Sequence, residues 1–142
     1  MTNLILTFVF IVCLNSDSLA QNDVIGKWKT IDDETGKAKS IVELYMKDNE
    51  LYGKIIELYQ ESNADPDPFC DACTDDRKDQ KVTGMEILRN MELNDDEWED
   101  GTICDPKNGK VYDCKLWLEN NQLQERGYVA FFYRTQTWLR VN

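Results

Sequence analysis

Apolar and polar residues alternate one by one along most of this chain, and few segments repeat with the helical period of three to four. Strict alternation places successive side chains on opposite faces of an extended strand. Gly, Asn or Asp stands at most ends of these segments, as expected for turns. The pattern predicts eight strands, at Val24–Ile31, Ser40–Met46, Leu51–Tyr59, Met85–Asn90, Glu97–Cys104, Lys110–Leu118, Leu123–Phe132 and Arg134–Val141.

The links between the predicted strands are mostly short. "DDETGK", "KDNE", "DPKNGK" and "NNQ" each supply the Gly or Asn that a hairpin turn needs. Short links make consecutive strands antiparallel neighbours, and such a meander has two exposed edges unless the sheet closes. We therefore predict an all-β fold, an eight-stranded antiparallel up-and-down barrel with one long cysteine-containing loop at Gln60–Thr83. A two-sheet sandwich is the alternative.

The N-terminal residues have the features of a targeting segment. An apolar core at Leu4–Leu14 is followed by a polar stretch and by small residues at Ser18 and Ala20. This predicts a signal peptide over residues 1–20, cleaved after Ala20, and an exported protein that is periplasmic or secreted. The apolar core is too short to span a bilayer. The remaining residues, 21–142, fit one domain.

Charge narrows the range of partners. The 142-residue chain has a net charge of −11 and no histidine. Removing the predicted signal peptide removes one acidic residue, Asp17, and so leaves a charge of −10. An acidic surface repels phosphate backbones and anionic lipid headgroups, so we expect neither nucleic acid nor a membrane surface as a partner.

Four cysteines follow the predicted cleavage site, and the first two stand in the acidic segment "DPDPFCDACTDD". Export favours disulfides among them. A zinc site would need all four thiolates, since the chain has no histidine, and redox catalysis is disfavoured by the neighbouring aspartates. Four cysteines allow three connectivities, and the sequence does not choose between them. The candidates for disulfide formation are Cys70, Cys73, Cys104 and Cys114.

Catalytic and metal chemistry find little support in the sequence. Without histidine, the usual general base near neutral pH is absent. The aspartates of the long loop lack the Gly and the bidentate Glu of an EF-hand. We expect no enzyme, no catalytic residues, no metal and no cofactor.

Two short motifs resemble the lipocalins and their wider superfamily. "GKW" opens the first predicted strand, and "TWLRV" closes the last one. In that superfamily an Arg of the last strand packs against the Trp of a Gly-x-Trp motif and closes one end of the barrel. The resemblance makes Gly26, Trp28 and Arg140 a structural signature of the barrel.

A denser resemblance covers nearly all of residues 21–142. The segments "IGKWKTIDDETGKAKSIVELY", "LYGKIIEL", "CDAC", "GMEIL", "DGTICDPKNGKVYDCKLWLE" and "RGYVAFFYRTQTWLRV" together resemble DUF2147, an uncharacterised family of exported, lipocalin-like bacterial proteins. This resemblance implies a signal peptide and a compact β-barrel. It supplies no catalytic residues.

Aromatic residues recur on the predicted strands and mark a candidate pocket. On "VYDCKLWL" the face of Tyr112 and Leu116 is apolar and is predicted to point inward. Polar-tipped aromatics in a barrel suit a small-molecule site. We therefore predict a small apolar or amphipathic ligand, with a solid barrel that contacts another envelope or secreted protein as the alternative. The candidate lining residues are Tyr112, Leu116, Tyr128, Gln136 and Trp138.

Overall fold

The computed structural model describes residues 23–142, so the predicted signal peptide at residues 1–20 lies outside the described residues. Consecutive strands pair antiparallel, and β1 pairs with β8, which closes the barrel. The predicted fold class is confirmed, and the sandwich alternative is wrong. The strands are β1 Gly26–Ile31, β2 Ala38–Lys47, β3 Glu50–Leu58, β4 Glu86–Asn94, β5 Glu97–Asp105, β6 Lys110–Glu119, β7 Gln122–Val129 and β8 Phe132–Arg140.

The largest differences from the predicted strand bounds, at the ends of β4 and β7, have local backbone causes. Strand β4 continues to Asn94, beyond the predicted end, because Asn90 adopts a positive φ of 58° that interrupts the alternation without ending the strand. Phe132 belongs to β8 and not to β7, because Ala130, with a φ of 52°, turns the chain two residues earlier.

Residues with left-handed backbone form the tightest hairpins. Asp48 and Asn49 both have positive φ between β2 and β3, and Asn120 and Asn121 do so between β6 and β7. Positive φ at both central residues gives the turn twist that matches paired strands. The Asn and Asp residues of "KDNE" and "NNQ" therefore fix the register of these hairpins, as their sequence indicated.

The β5–β6 hairpin places neither of its two cysteines opposite the other. Cys104 lies opposite Val111, and Cys114 lies opposite Gly101. A Cβ atom at Gly101 would overlap the carbonyl oxygen of Arg89 on β4, so only glycine fits at this crossing point.

One half of the barrel interior is filled with side chains, and we call it the filled half. It holds the early part of β1 and β5 and the late part of β2 and β4. Apolar burial at this density supplies most of the stability of a small barrel. The side chains with the least exposure here are Trp28, Val42, Leu44, Leu51, Met91, Trp98, Leu116 and Leu123.

The Trp28/Arg140 pair closes the filled half, as the barrel signature predicts. Trp28 is opposite Arg140 across the β1–β8 seam, and the guanidinium carbon lies 4.3 Å from the centre of the indole ring. Trp28 Nε1 donates to Val24 O at 2.9 Å, and Arg140 donates to Asp23 O at 2.6 Å. The N-terminal segment is thus tied to the last strand across the barrel end.

The long loop, residues 60–83, folds onto the barrel wall beside the β5–β6 hairpin. Phe69 and Lys81 form an isolated antiparallel bridge inside it. Arg77 is buried, pairs with Asp75 at 2.6 Å and donates to the carbonyl oxygen of Glu86 at 3.0 Å. These contacts hold the loop on β4. No helix within residues 23–142 is long and apolar enough to cross a membrane.

Candidate functional site

A cavity of about 390 Å³ occupies the end of the barrel opposite Trp28, and we call this end the cavity half. It lies between the late parts of β1, β3, β5 and β7 and the early parts of β2, β4, β6 and β8, with Trp138 at its floor. The cavity opens to solvent at this end. Its volume is in the range of pockets that bind small molecules, about 300 to 1,000 Å³.

The cavity has an apolar wall and a polar wall. The apolar wall comes from β3, β4 and β5, where three isoleucines and Leu58 face inward. The polar wall comes from β1, β2, β7 and β8. An apolar pocket with few polar groups is typical of a site for an amphipathic molecule. The residues that define the two walls are Ile55, Leu58, Ile87 and Ile103 on one side, and Thr30, Ser40, Glu125, Gln136 and Trp138 on the other.

Glu125 is the charged residue that lies deepest in this cavity. Its side chain is 5 % exposed, and its Oε1 atom has no hydrogen-bond partner among residues 23–142. Burial raises the pKa of Glu125 to about 7, with a further rise from the nearby charge of Asp33 that Arg134 partly offsets. This carboxyl therefore changes charge near neutral pH and lacks the partner that a buried carboxylate needs.

Trp138 contributes a second unpartnered polar atom. The side chain is 2 % exposed, and its Nε1 atom has no acceptor in the described part of the chain. Buried indole N–H groups usually find an acceptor. Trp138 Nε1 and Glu125 Oε1 thus give the cavity one free donor and one free carboxyl oxygen.

The other polar groups of the wall already have partners inside the protein. Thr30 and Ser40 share a hydrogen bond of 2.7 Å between their hydroxyl oxygens. Asp33, in the β1–β2 turn, accepts from Gln136 at 3.2 Å and pairs with Arg134 at 2.6 Å. These internal partners set the two orphan atoms apart from the rest of the wall.

Three of the five predicted lining residues, Tyr112, Gln136 and Trp138, line the cavity. Leu116 is fully buried but lies in the filled half, because it is two positions beyond Cys114 on β6. Tyr128 is not among the residues that line this cavity. It points outward, where its ring centre lies 6.2 Å from that of Tyr133.

Glu125 and Gly127, which were not predicted from the sequence, line the cavity from β7. Their signal was present in the alternation of this strand. Leu123, Glu125, Gly127 and Val129 share one face, and Leu123 is fully buried, so the acidic residue two positions later also points inward. Tyr128, predicted because of its aromatic ring, lies on the opposite face of β7.

The cysteines form one bridge beside the cavity. Cys70 and Cys73 lie at disulfide distance, with their sulfur atoms 2.03 Å apart. Cys104 and Cys114 were candidates for a second bridge, but both are buried thiols, because the hairpin register places them opposite other residues. Cys104 lines the cavity, and its Sγ lies 4.0 Å from Cys73 Sγ.

Residues 23–142 contain no candidate metal site. No group of three or more His, Cys, Asp and Glu side chains converges there. The cavity combines an apolar wall with two polar atoms that have no partner among the described residues.

Comparison with known proteins identifies the family. A family model described as "Uncharacterized protein conserved in bacteria (DUF2147)" matches residues 26–140. The chain belongs to the DUF2147 family. Among curated proteins, no sequence relative was found.

The DUF2147 barrel is also similar to a solved structure. A Helicobacter pylori protein, HP1028, described as belonging to the lipocalin family, superposes with a TM-score of 0.69. The match covers 84 % of this chain and 83 % of that protein, at 16 % sequence identity. At this identity the likeness concerns the fold, and it confirms the lipocalin-like architecture that the Trp28/Arg140 signature predicts.

Proposed function

We propose that this protein is an exported binding protein that holds one small amphipathic ligand in the cavity half of its barrel. The observation that carries the proposal is a cavity of about 390 Å³ in which Glu125 Oε1 and Trp138 Nε1 are buried without partners among residues 23–142. A barrel filled with side chains would contain neither a cavity of this size nor two buried polar atoms beside it. The protein binds its ligand and performs no chemical step on it.

The division of the barrel supports this function. The filled half, sealed by Trp28 and Arg140, supplies stability, and so the cavity half is free to remain empty. Ligand sites in small barrels are commonly found at such a mouth. A ligand enters from solvent beside Val129 and Arg134, which lie at the rim.

A cavity-filling variant tests the function. Gly127 faces the cavity, and a Cβ atom there would meet Glu125 Oε1 at 3.6 Å and Tyr112 Cβ at 3.9 Å, both ordinary contacts. Gly127→Leu therefore places a side chain in the cavity without a backbone clash. The probe is the neutral dye N-phenyl-1-naphthylamine, whose fluorescence rises in apolar surroundings.

The wild-type protein is expected to bind this dye with a stoichiometry of one, and Gly127→Leu is expected to abolish the signal. Val111→Phe is the matched control, because it adds bulk on the outer face of β6 and leaves the cavity unchanged. Equal dye binding by the wild type and Gly127→Leu would place the dye elsewhere and contradict the proposal.

A second candidate function is that of an interaction module that contacts another exported protein. The observation that favours it is the β7–β8 hairpin tip, where Phe131 is 99 % and Phe132 is 78 % exposed. Exposed apolar side chains in a cluster mark contact surfaces. A Phe131→Ser, Phe132→Ser double variant separates the two functions. If the protein binds a ligand in its cavity, this variant should retain dye binding. If the protein is an interaction module, the variant should lose a partner that can be cross-linked to the wild type.

A further inference from the structure

Glu125 and Trp138 are placed so that one ligand head group can reach both. Glu125 pairs with Gln136 across the β7–β8 ladder, and Trp138 is two residues further along β8, on the same inward face. Diagonal neighbours of this kind are about 7 to 8 Å apart and within reach of long side chains. Glu125 and Trp138 therefore line neighbouring parts of one cavity wall, where the free carboxyl oxygen and the free indole N–H are both buried.

Within residues 23–142, Glu125 forms no ion pair. From β8, Arg134 lies near it, but that guanidinium pairs with Asp33 of the β1–β2 turn. The other titratable groups that line the cavity are Lys39 from β2, Cys104 and Asp105 from β5, and Tyr112 from β6. None of them makes a hydrogen bond to Glu125 Oε1.

The overall charge favours the same ligand class. A chain with a net charge of −11 attracts small cations to its surface and repels small anions. The apolar wall of Ile55, Ile87 and Ile103 lies within the same cavity. A ligand that satisfies both walls has an apolar body and a cationic head.

Building on the proposed function, we propose that the ligand is a small amine with an apolar body. Its ammonium group binds Glu125, and an oxygen acceptor on the same head group receives the hydrogen bond of Trp138 Nε1. The ammonium supplies the charge that the buried carboxylate lacks, and the oxygen supplies the acceptor that the indole lacks. The apolar body packs on the three isoleucines.

Competition experiments with matched small molecules test the proposal. At pH 8, three competitors are titrated separately against bound N-phenyl-1-naphthylamine. They are 2-phenylethylamine, 2-phenylethanol and phenylacetate, whose head groups are positive, neutral and negative. Charge-assisted hydrogen bonds contribute about 1.5 to 3 kcal/mol, so the amine should bind about tenfold or more tightly than the alcohol. Phenylacetate should bind most weakly.

Glu125→Gln identifies the residue responsible. Glutamine keeps the shape of the side chain and removes the charge, so the amine should lose its advantage over the alcohol. In the wild type, amine affinity should rise as the pH increases through about 7, since Glu125 then ionises. Alcohol affinity should not follow this profile.

The possible outcomes distinguish this inference from the proposed function. If the dye binds but the amine shows no advantage, or keeps it in Glu125→Gln, the amine proposal is overturned and the binding function stands. If neither dye nor probes bind the wild type, both are overturned. For the acceptor, 2-amino-1-phenylethanol should bind more tightly than 2-phenylethylamine, and equal affinity would exclude the Trp138 contact.

A second, independent inference concerns three sulfur atoms beside the cavity. Cys73 Sγ is bonded to Cys70 and lies 4.0 Å from Cys104 Sγ. Cys70 Sγ lies 3.4 Å from the carbonyl oxygen of Pro106. All three cysteines are buried, with exposures of 0 to 3 %. The third sulfur is thus next to the bridge and shielded from external thiols.

We infer that the bridge can move from Cys70–Cys73 to Cys73–Cys104. The Cys104 thiol loses its proton, and its sulfur attacks Cys73 Sγ. The Cys73–Cys104 bond forms as the Cys70–Cys73 bond breaks, and Cys70 takes up the proton. The exchange is internal and needs no oxidant or reductant. As a thiol, Cys70 then donates to the Pro106 carbonyl oxygen, and the new bridge ties the long loop to the cavity wall.

Mapping of free thiols tests the exchange. Burial raises the pKa of the Cys104 thiol, so exchange is expected to be slow at pH 7 and faster at pH 9. The purified protein is incubated at each pH, quenched in acid, denatured and labelled with N-ethylmaleimide. Label should appear on Cys70 at pH 9 as it falls on Cys104. A Cys104→Ser control should keep Cys70 unlabelled.

A forced pairing gives a second readout. In Cys70→Ser, mild oxidation should join Cys73 to Cys104 and leave Cys114 as the reduced thiol. Two outcomes would overturn the inference: Cys70 of the wild type unlabelled at pH 9, or free Cys73 and Cys104 thiols in oxidised Cys70→Ser.

Discussion

Trp28 has no exposed surface, and contacts from the segment before β1 and from the end of β8 hold it in place. Its Nε1 atom donates to Val24 O, and Arg140 covers one face of the ring. These contacts join the first strand to the last, where the closing pair has fewer paired positions than its neighbours. Trp28 is therefore a structural residue of the barrel.

Trp28→Ala is expected to lower the free energy of unfolding by about 3 to 5 kcal/mol, because it leaves a large space in the filled half. Arg140→Ala should cost about 1 kcal/mol, since it removes a cation–π contact and one hydrogen bond. Chemical denaturation measures both. Trp117→Ala, on the outer wall, is the control and should cost less than Trp28→Ala. An unchanged midpoint for Trp28→Ala would contradict its core role.

Glu125 gives a pH dependence of stability whose sign follows from its raised pKa. The folded carboxyl keeps its proton up to about pH 7, whereas in the unfolded chain it ionises near 4.5. Stability should therefore fall as the pH rises from about 4.5 to about 7, by up to ~3 kcal/mol.

Glu125→Gln should remove this part of the pH profile and be more stable than the wild type above pH 7. Thermal melting between pH 4 and pH 8 measures the difference between the two proteins. Parallel profiles would show that Glu125 has the same pKa in the folded and the unfolded chain, and would contradict a pKa raised by burial.

At the scale of elements, the strands were predictable from the sequence, but it was not predicted that the Glu125 face of β7 points into the barrel. Alternation located all eight strands, because each strand places apolar residues inward at every second position. The same rule, applied from Leu123, places Glu125 inside the barrel and Tyr128 outside. The buried carboxyl was missed because charged residues seldom face a core unless they are paired or functional.

The tertiary position of the long loop was beyond sequence reasoning. Its contacts with β4 and with the β5–β6 hairpin are non-local, and the sequence of residues 60–83 alone does not predict them. The cysteine spacing left three connectivities open. Only the hairpin register, in which Cys104 and Cys114 have other partners, decides against a bridge between those two.

Two equivalent turns allow a matched test of loop docking. Gly36 and Gly109 have φ values of 70° and 71°, and each donates its N–H to an aspartate carbonyl oxygen four residues earlier, at 2.8 Å. A Cβ atom at Gly36 would meet nothing, whereas one at Gly109 would overlap the Ala72 carbonyl group of the long loop.

Gly36→Ala should cost about 1 to 2 kcal/mol through its left-handed backbone alone. Gly109→Ala should cost more, because it also displaces the long loop from the hairpin. Hydrogen exchange measured over residues 60–83 should accelerate in Gly109→Ala and stay unchanged in Gly36→Ala. Equal exchange in both variants would contradict the docking.

Arg77 anchors the same loop from the other side. Hydrogen bonds from Arg77 lower the pKa of Asp75 to about 2, from an ordinary value of 3.8. Arg77→Ala leaves the Glu86 carbonyl oxygen without this donor and should cost about 1 to 3 kcal/mol. Lys78→Ala is the exposed control.

Limited proteolysis of the loop checks this prediction and its pH dependence. Stability from the Asp75–Arg77 pair is present above pH 3.8 and is lost as the pH falls towards 2, so the wild-type loop should loosen in that window. Loop cleavage at the same rate in Arg77→Ala and the wild type at pH 7 would contradict the anchoring.

At the scale of the whole molecule, the barrel interior divides into a filled half and a cavity half. The sequence left a solid interior and a cavity as open alternatives, because alternation reports which side chains face inward and not whether they meet across the barrel. The structure contains both, with large side chains around Trp28 and Trp98 and a cavity of about 390 Å³ beyond Trp138. Trp28 and Arg140 close one end, and the other end opens to solvent, where we propose that a ligand binds.

Methyl NMR during titration with N-phenyl-1-naphthylamine tests this division most directly. Saturable shifts are expected for the methyl groups of Ile55, Ile87 and Ile103, which line the cavity, while those of Leu44 and Leu51 in the filled half stay in place. Unchanged isoleucine methyl signals at saturating dye, or shifts confined to residues of the outer surface, would contradict a ligand site inside the barrel.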